Sequence, residues 1–346
     1  MLAAALNRYS PPMRRAIAVL LVLVACAAPS PSATGTPVAR SSVDATRSAR
    51  ASAAATPTAG AATWEVLDDA PFARLEMAVT AHDGRIWLAG GLSPLGGALT
   101  NVDVFDPATG EWSEGPSLPT GVHHAALVSD GDRLLLMGGY LDADFRLPTE
   151  IVLQLPAGAD GWVEGPALPD AIAAGAAAFD GSRVIYAGGF GQENLSSDVL
   201  ALEGDSWERI GALAIARHHL AAASDGSGTV WLMGGRIRGL DENLGIVERL
   251  TDDIAQIAEL PTPRGGVAAF HAETLGACLT GGEAPDQAYR TVECVAPDGT
   301  ISALPPLNEP HHGHGAAVVD GVAYVLLGGP QPRLSASSTV ESLAVR

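Results

Sequence analysis

Residues 125–139 have the sequence AALVSDGDRLLLMGG, in which a run of small residues, an Asp-Gly pair, an apolar run and a glycine doublet follow one another. Asp-Gly between two such runs is a strong hairpin signal, because both residues tolerate the positive φ that tight turns require. The apolar run predicts a strand that is buried on both faces. Asp-Gly pairs also precede most of the other glycine doublets, as Asp83-Gly84, Asp180-Gly181, Asp225-Gly226 and Asp320-Gly321.

Glycine doublets close six such segments at nearly even spacing. Their first glycines are successively 48, 50, 46, 47 and 47 residues apart. A period in this range indicates one supersecondary unit that is copied six times. The doublets are Gly90-Gly91, Gly138-Gly139, Gly188-Gly189, Gly234-Gly235, Gly281-Gly282 and Gly328-Gly329.

Each copy contains two further strands after its doublet. In the first copy a loop leads to the apolar run 102–105, a turn at 106–110 and a fourth strand that opens with Trp112. Four antiparallel strands in each of six copies predict an all-β fold, a six-bladed β-propeller over residues 63–346.

The glycine doublet and the fourth-strand Trp together resemble the kelch repeat, and the resemblance extends from about residue 64 to the end of the chain. Copies one to three show the full pattern, with Trp112, Trp162 and Trp207. We expect each Trp to cover the glycine doublet of its own blade, where glycine permits close packing. Copies four and five depart from the pattern, with Ile257 and Ile301 in place of the aromatic residue.

The two ends of the predicted propeller complement each other. Residues 64–71 match the fourth-strand pattern of 112–119 but lack three preceding strands, whereas copy six ends after its third strand at 338–343. We therefore expect the N-terminal strand to complete the last blade and close the ring, which removes two exposed sheet edges.

The first 62 residues have the composition of an export segment and a tether. Arg14 and Arg15 precede an apolar stretch that is too short to span a bilayer, which predicts a signal peptide over residues 1–25. The sequence before Cys26 resembles a bacterial lipobox, which implies lipidation of that cysteine. Residues 27–62 are rich in Ala, Ser, Thr and Pro, so we predict that 26–62 form a disordered tether.

These features predict an exported protein that is anchored to the outer face of a bacterial cell membrane. An ordinary signal peptide cleaved in the same region is the alternative, and it would give a secreted protein. Translation from Met13 would shorten the signal peptide in either case.

The propeller region contains two cysteines, Cys278 and Cys294, in the second and third strands of copy five. Adjacent antiparallel strands would place them opposite each other, and an exported protein occupies a compartment where a disulfide persists. We favour a disulfide over two buried thiols, because copy five lacks the fourth-strand Trp.

The charge of the chain excludes some partners. The chain has a formal net charge of −19, and beyond residue 63 the net charge is near −24. Such an acidic surface repels nucleic acid and anionic lipid headgroups. Membrane attachment is therefore expected through the N-terminal lipid alone, and we expect a monomer.

The strand ends that surround the channel mouth of a propeller are the expected place for a ligand. Polar residues cluster at the starts of the first strands and in the loops after the doublets. The candidates for the ligand face are Arg74, His123, Arg217, His218, Arg236, Glu242, Arg264 and His312.

Histidines recur at the same predicted position in alternate copies. Counting back from the turn Asp places His124, His219 and His314 together. Histidine is the commonest transition-metal ligand. We nevertheless expect no metal and no cofactor, because a ring of strands should hold these side chains too far apart.

Two classes of function follow from the kelch resemblance. The favoured one is a non-catalytic binding module for an extracellular or envelope protein or glycan, which predicts a broad, shallow face. The alternative is an isomerase similar to the six-bladed kelch sialic-acid mutarotases, which predicts a deep pocket with a carboxylate and an arginine. Arg217 or Arg236 with Glu242 would offer that pairing. A copper-radical oxidase would need a Tyr–Cys cross-link, whereas both propeller cysteines lie in copy five.

Overall fold

The structure is a computed structural model, and it describes residues 63–345. Within this range the chain forms 24 strands in six four-stranded antiparallel sheets, as predicted for a six-bladed propeller. The predicted signal peptide, the predicted lipidation site Cys26 and the predicted tether lie outside the described residues. No helix in the described part of the chain is long and apolar enough to cross a membrane.

The strands are numbered in chain order, and β1 (Glu65–Val66) belongs to the last blade. Blade one contains β2 (Ala78–His82), β3 (Arg85–Ala89), β4 (Val102–Asp106) and β5 (Glu111–Glu114); blade two contains β6 (Ala126–Ser129), β7 (Arg133–Met137), β8 (Val152–Pro156) and β9 (Val163–Glu164); blade three contains β10 (Ala176–Phe179), β11 (Val184–Ala187), β12 (Asp198–Glu203) and β13 (Ser206–Ala212). Blade four contains β14 (Ala221–Ser224), β15 (Val230–Met233), β16 (Ile246–Leu250) and β17 (Ile254–Glu259); blade five contains β18 (Gly265–Ala272), β19 (Gly276–Glu283), β20 (Val292–Val295) and β21 (Ile301–Ala303); blade six contains β22 (Gly315–Val319), β23 (Val322–Leu326), β24 (Val340–Ala344) and β1.

The second strand of each blade lies in the hydrophobic core between blades. In β7 and β15 all the apolar side chains are buried, because neighbouring blades cover both faces of the sheet. The first strands contact one another around the axis, and β22 contacts β2 to complete the circle.

The ring closes through β1, which pairs with β24 in the register Glu65↔Ser342 and Val66↔Glu341. The Trp64 indole donates a 2.9 Å hydrogen bond to the Pro305 carbonyl of blade five. The predicted closure by the N-terminal strand is confirmed.

The fourth-strand tryptophans link neighbouring blades, and no Trp atom is among those nearest to the glycine doublets, which differs from the prediction. Trp162 donates to the Pro116 carbonyl of blade one at 2.7 Å, and Trp207 donates to Pro166 of blade two at 2.8 Å. The doublet of blade one instead contacts the backbone that enters blade two. A Cβ on Gly90 would lie 2.3 Å from the Val122 carbonyl oxygen. Glycine has no Cβ and therefore avoids this clash.

The doublet of blade six is shifted by one residue from its predicted place. The amide of Leu327 bonds to Thr339, just as the amide of Gly90 bonds to Asn101 in blade one. Leu327 accordingly has φ 59°, and Gly328 takes the second position of the doublet. Leu327 is fully buried, so its packing compensates for about 1–2 kcal/mol of left-handed backbone cost.

A disulfide joins Cys278 and Cys294, the pair singled out from the sequence. The two residues lie directly opposite each other in β19 and β20. Both are fully buried in the core between blades five and six.

Candidate functional site

Six residues with left-handed backbone lie where the chain enters the first strand of each blade. L-residues other than glycine seldom adopt this conformation, so its recurrence indicates a shared structural requirement. The six positions, called the axial ring here, are Glu76 (φ 55°), His124 (55°), Ala174 (55°), His219 (55°), Gly266 (66°) and Gly313 (52°).

Main-chain hydrogen bonds join the axial ring into a closed circle. Each amide donates to the carbonyl of the equivalent residue in the preceding blade. The six bonds are His124 to Glu76 (2.9 Å), Ala174 to His124 (2.8 Å), His219 to Ala174 (2.8 Å), Gly266 to His219 (3.1 Å), Gly313 to Gly266 (2.9 Å) and Glu76 to Gly313 (2.7 Å). These hydrogen bonds fix the backbone at the six residues, and so they fix the positions from which the side chains extend.

Three members of the axial ring have side chains that meet at the axis. Glu76 contributes a carboxylate oxygen, and His124 and His219 each contribute a ring nitrogen. These three atoms all lie within 4.8 Å of one another. The His124 Nε2 atom is 3.3 Å from the Glu76 Oε2 atom. These side chains form the floor of the central cavity.

Each of the two ring histidines contacts the histidine that precedes it. The Nδ1 atoms of His123 and His124 are 2.6 Å apart, and those of His218 and His219 also make a hydrogen bond. His123 donates from Nε2 to the Asp142 carbonyl at 2.7 Å, since a carbonyl can only accept. A neutral His123 must then accept at Nδ1, which assigns the Nδ1 proton to His124 and leaves its Nε2 lone pair free.

The second pair follows the same pattern. His218 bonds to the backbone of Arg238, as His123 does to Asp142. His219 therefore also presents Nε2 towards the axis.

A cavity of about 710 Å³ opens above this floor. Its wall contains an ion pair between Arg236 Nη1 and Glu283 Oε1 at 2.9 Å. The Glu283 Oε2 atom accepts a 2.8 Å hydrogen bond from the Arg333 amide and lies 3.7 Å from His312 Nδ1. The remaining lining residues include five apolar residues: Leu75, Phe145, Leu240, Pro285 and Leu334.

Burial is the main cause of the pKa shifts of the three side chains at the cavity floor. It raises the pKa of Glu76 to about 7, with a further increase from Glu283 and an opposing effect of Arg236. Burial also lowers the pKa values of His124 and His219 well below their usual range, and neighbouring Arg236 acts in the same direction. Neutral imidazoles therefore face the axis at neutral pH.

Three arginines that were predicted to face a ligand instead form ion pairs inside the blades. Arg74 pairs with Asp103 at 2.5 Å, Arg217 pairs with Glu248 at 2.7 Å, and Arg264 pairs with Glu293. Each guanidinium also donates to the carbonyl of the first doublet glycine of its own blade, namely Gly90, Gly234 or Gly281. None of the three lines the cavity, so they tie the first strand to the second and third.

The other candidates divide into three groups. Arg236 and His312 line the cavity, whereas Glu242 does not. The predicted pairing of Arg217 or Arg236 with Glu242 is replaced by ion pairs to Glu248 and Glu283. His123 and His218 lie behind the floor and orient His124 and His219.

His314 is not equivalent to His124 and His219, which corrects the alignment made from sequence. The equivalent residue is Gly313, and His314 lies below the axial ring with Nε2 2.8 Å from the Thr280 hydroxyl. The expectation that these histidines lie too far apart to share a metal ion is wrong for His124 and His219. Their ring nitrogens lie within 4.8 Å of each other and of a Glu76 carboxylate oxygen. Aligning residues 74–76 with 217–219 would have identified Glu76.

Comparison with known proteins agrees with this architecture. Residues 73–119, which contain blade one, match the family model described as Kelch motif. The described domain is a six-bladed β-propeller whose first blade matches the Kelch motif.

A solved structure with the same fold, that of YjhT, has a TM-score of 0.69 to this chain at 12% sequence identity. The likeness covers 79% of this chain and 95% of YjhT. At this identity it shows the fold alone, and the fold carries no site residues. No curated protein matches the sequence.

Proposed function

We propose that this kelch propeller is an exported, lipid-anchored binding module for a small molecule with carboxylate and hydroxyl groups, of the sugar-acid or glycan class. The central cavity of about 710 Å³ is the observation that supports it. A cavity of this volume suits a small ligand, and it differs from the broad, shallow face expected for a module that binds a macromolecule. A protein partner would require a broader surface, of about 800 Å² on each side.

Arg236 is the residue best placed to bind a carboxylate. Its guanidinium is largely buried in the cavity wall, and Glu283 is its one ion-pair partner among the described residues. That ion pair uses Nη1, which leaves the other guanidinium N–H groups for a ligand. A planar guanidinium and a carboxylate form strong, charge-assisted hydrogen bonds, especially where water is excluded.

The mouth of the cavity adds an apolar contribution. Phe145 and Leu334 lie at the mouth and are 38% and 73% exposed. Exposed apolar side chains beside a polar floor suit a ligand that has both a carboxylate and an apolar face, such as a sugar acid.

Export and anchoring rest on the first 62 residues. Lipidation of Cys26 would place the propeller at the outer face of a bacterial cell membrane, with 27–62 as the tether. The net negative charge disfavours direct binding to anionic lipid, so the anchor would provide the attachment.

An isomerase of the mutarotase type is the second candidate function. The observation that favours it is that Glu76 and Arg236 share one cavity, since anomer exchange needs a group that moves a proton at the anomeric hydroxyl. To test this candidate, the rate of anomer exchange of any sugar acid that binds is measured by NMR with and without the protein. Exchange no faster than in buffer would leave binding as the function.

Thermal melting of the purified chain against neutral sugars and their matching sugar acids tests the binding proposal. A sugar acid at a hundredfold excess over its Kd should stabilise the fold by ~2.7 kcal/mol, with a smaller effect for the neutral sugar. Arg236→Met should abolish the difference between acid and neutral sugar. Arg238→Met is the matched control, because Arg238 is exposed and lies outside the cavity.

Two results would contradict the proposal. One is the absence of a shift with every sugar acid, in which case capture of a macromolecular partner becomes the next experiment. The other is an equal shift for the wild-type protein and Arg236→Met, provided that both melt cooperatively without ligand.

A further inference from the structure

We propose that Glu76, His124 and His219 bind one divalent transition-metal ion at the floor of the central cavity. Two imidazoles and one carboxylate form a ligand set that Zn²⁺ uses in catalytic sites and that leaves coordination positions open. The inference goes beyond the proposed function and does not depend on it.

The positions of the three ligand atoms support a common ion. All lie within 4.8 Å of one another, and the pair from His124 and Glu76 is 3.3 Å apart. Ligands at ~2.0–2.2 Å from a tetrahedral zinc are about 3.3 Å from each other. The longest separation therefore has to shorten by up to about 1.5 Å when a metal ion binds.

The histidine pairs provide the outer contacts that a metal site requires. A metal-bound imidazole normally donates its other N–H group to a neighbouring acceptor, which fixes the ring and its tautomer. His124 donates from Nδ1 to His123, and His219 bonds in the same way to His218. Both outer histidines are fixed by backbone groups of the loops that border the cavity, at Asp142 and Arg238.

The backbone holds all three ligands in one geometry. Each occupies an equivalent position of the axial ring, with φ of 55°. Gly313 is the neighbour of Glu76 in the axial ring. Because Gly313 has no side chain, the Glu76 carboxylate can occupy the space beside it. A Cβ on Gly313 would lie 2.5 Å from Glu76 Oε1 and 2.7 Å from Glu76 Cδ.

The charges near the floor are compatible with a divalent ion. Glu76 and Glu283 supply two carboxylates, and among residues 63–345 Arg236 is the one arginine whose side chain pairs with either of them. A bound divalent ion would leave a net positive charge in the cavity. Its open positions would point at the space above the floor, so an anionic ligand would be favoured there.

Calorimetric titration of the chelator-treated full chain with Zn²⁺ tests the proposal. We expect one ion per chain, and at least ~100-fold weaker binding by His219→Ala and Glu76→Gln. Titration with Co²⁺ should give visible d–d absorption that His219→Ala abolishes. His82→Ala is the control for adventitious binding, because His82 Nε2 lies 3.5 Å from an Asp83 carboxylate oxygen and His82 does not line the cavity.

A matched pair of glycine variants tests the carboxylate without deleting a ligand. Gly313→Ala should displace Glu76 and weaken zinc binding by ~10-fold or more. Gly266→Ala should leave binding unchanged, because its Cβ would lie 3.5 Å from the nearest atom, in Glu283. Ala174 shows that alanine fits this backbone conformation, so both variants are expected to fold.

His218→Ala tests the positioning role of the outer histidines. It should weaken zinc binding by ~10–100-fold and leave one ion per chain. Arg236→Met should retain the metal, which separates a failure of this inference from a failure of the proposed ligand site.

The proposal is overturned if the wild-type chain binds no zinc at one-to-one stoichiometry. It is also overturned if His219→Ala and Glu76→Gln, shown by their melting curves to be folded, bind zinc as tightly as the wild type.

Discussion

The amide of Glu76 donates a 2.7 Å hydrogen bond to the carbonyl of Gly313, across the junction between the first and last blades. This bond completes the axial ring near the channel axis, and the pairing of β1 with β24 completes blade six further out. The propeller is thus closed twice, once in the backbone around the axis and once within a sheet. The candidate metal ligand Glu76 lies at the inner closure.

Trp64→Ala should destabilise the propeller by about 3–5 kcal/mol, because a nearly fully buried indole and its hydrogen bond to Pro305 are lost at the closure. Trp162→Ala removes an equivalent residue that is only half-buried and lies inside the chain, so its cost should be smaller. Urea unfolding of both variants measures the difference. Equal losses would show that the closing strand adds nothing beyond the local contacts of its tryptophan.

Arg217→Met should cost about 3–5 kcal/mol, because it leaves Glu248 buried without its partner. The double variant Arg217→Met, Glu248→Leu should recover much of this loss, since no charge then remains buried. Chemical unfolding measures both variants. Neither should change binding in the central cavity, and a changed affinity in the double variant would contradict the structural role of this pair.

Glu341 should make the propeller less stable in acid. The pKa of its carboxyl is lowered, because hydrogen bonds from His311, Asn308 and Glu309 stabilise the ionised form more than burial destabilises it. A group whose pKa is lower in the folded state stabilises the fold above its unfolded value of 4.5, and this contribution is lost as the pH falls below that value.

Melting temperatures of wild type and Glu341→Gln between pH 3 and pH 7 measure this effect. The difference between the two proteins should be largest near pH 7 and should shrink in acid. A difference that is constant over this range would show that Glu341 acts by packing alone.

The fold was predictable because its signal is local and repeated. Asp-Gly turns and doublets such as Gly90-Gly91 occur within about 10 residues of each other, and the period then gives the number of blades. The closing strand was predictable too, since residues 64–71 match a pattern that lacks the other three strands of its blade.

The axial ring was not predictable in the same way. The number of residues between the ring position and the Asp of the following turn depends on the length of that turn. Blades one and six have two-residue turns, with His82 paired to Arg85 and Val319 to Val322. Blades two, three and four have longer turns, such as the one between Ser129 and Leu134. Counting back from Asp320 by the spacing of the longer turns therefore selected His314 in place of Gly313.

The roles of the arginines were also hidden from the sequence. Arg217 and Arg236 are both polar residues at the channel end of blade four, yet only Arg236 lines the cavity. The difference arises because Glu248, in the third strand, lies within reach of Arg217 inside the blade. Such a partner is distant in sequence and is identified only once the strands are paired.

The axial ring separates the placement of a side chain from its identity. Its six positions share one backbone conformation and are held by main-chain bonds, so the frame does not depend on which residue occupies each position. Three positions hold Glu76, His124 and His219, while Ala174, Gly266 and Gly313 add little or nothing to the floor. A propeller with this frame can acquire or lose functional groups at its axis by single substitutions. New chemistry there requires no new loop and no change in the architecture.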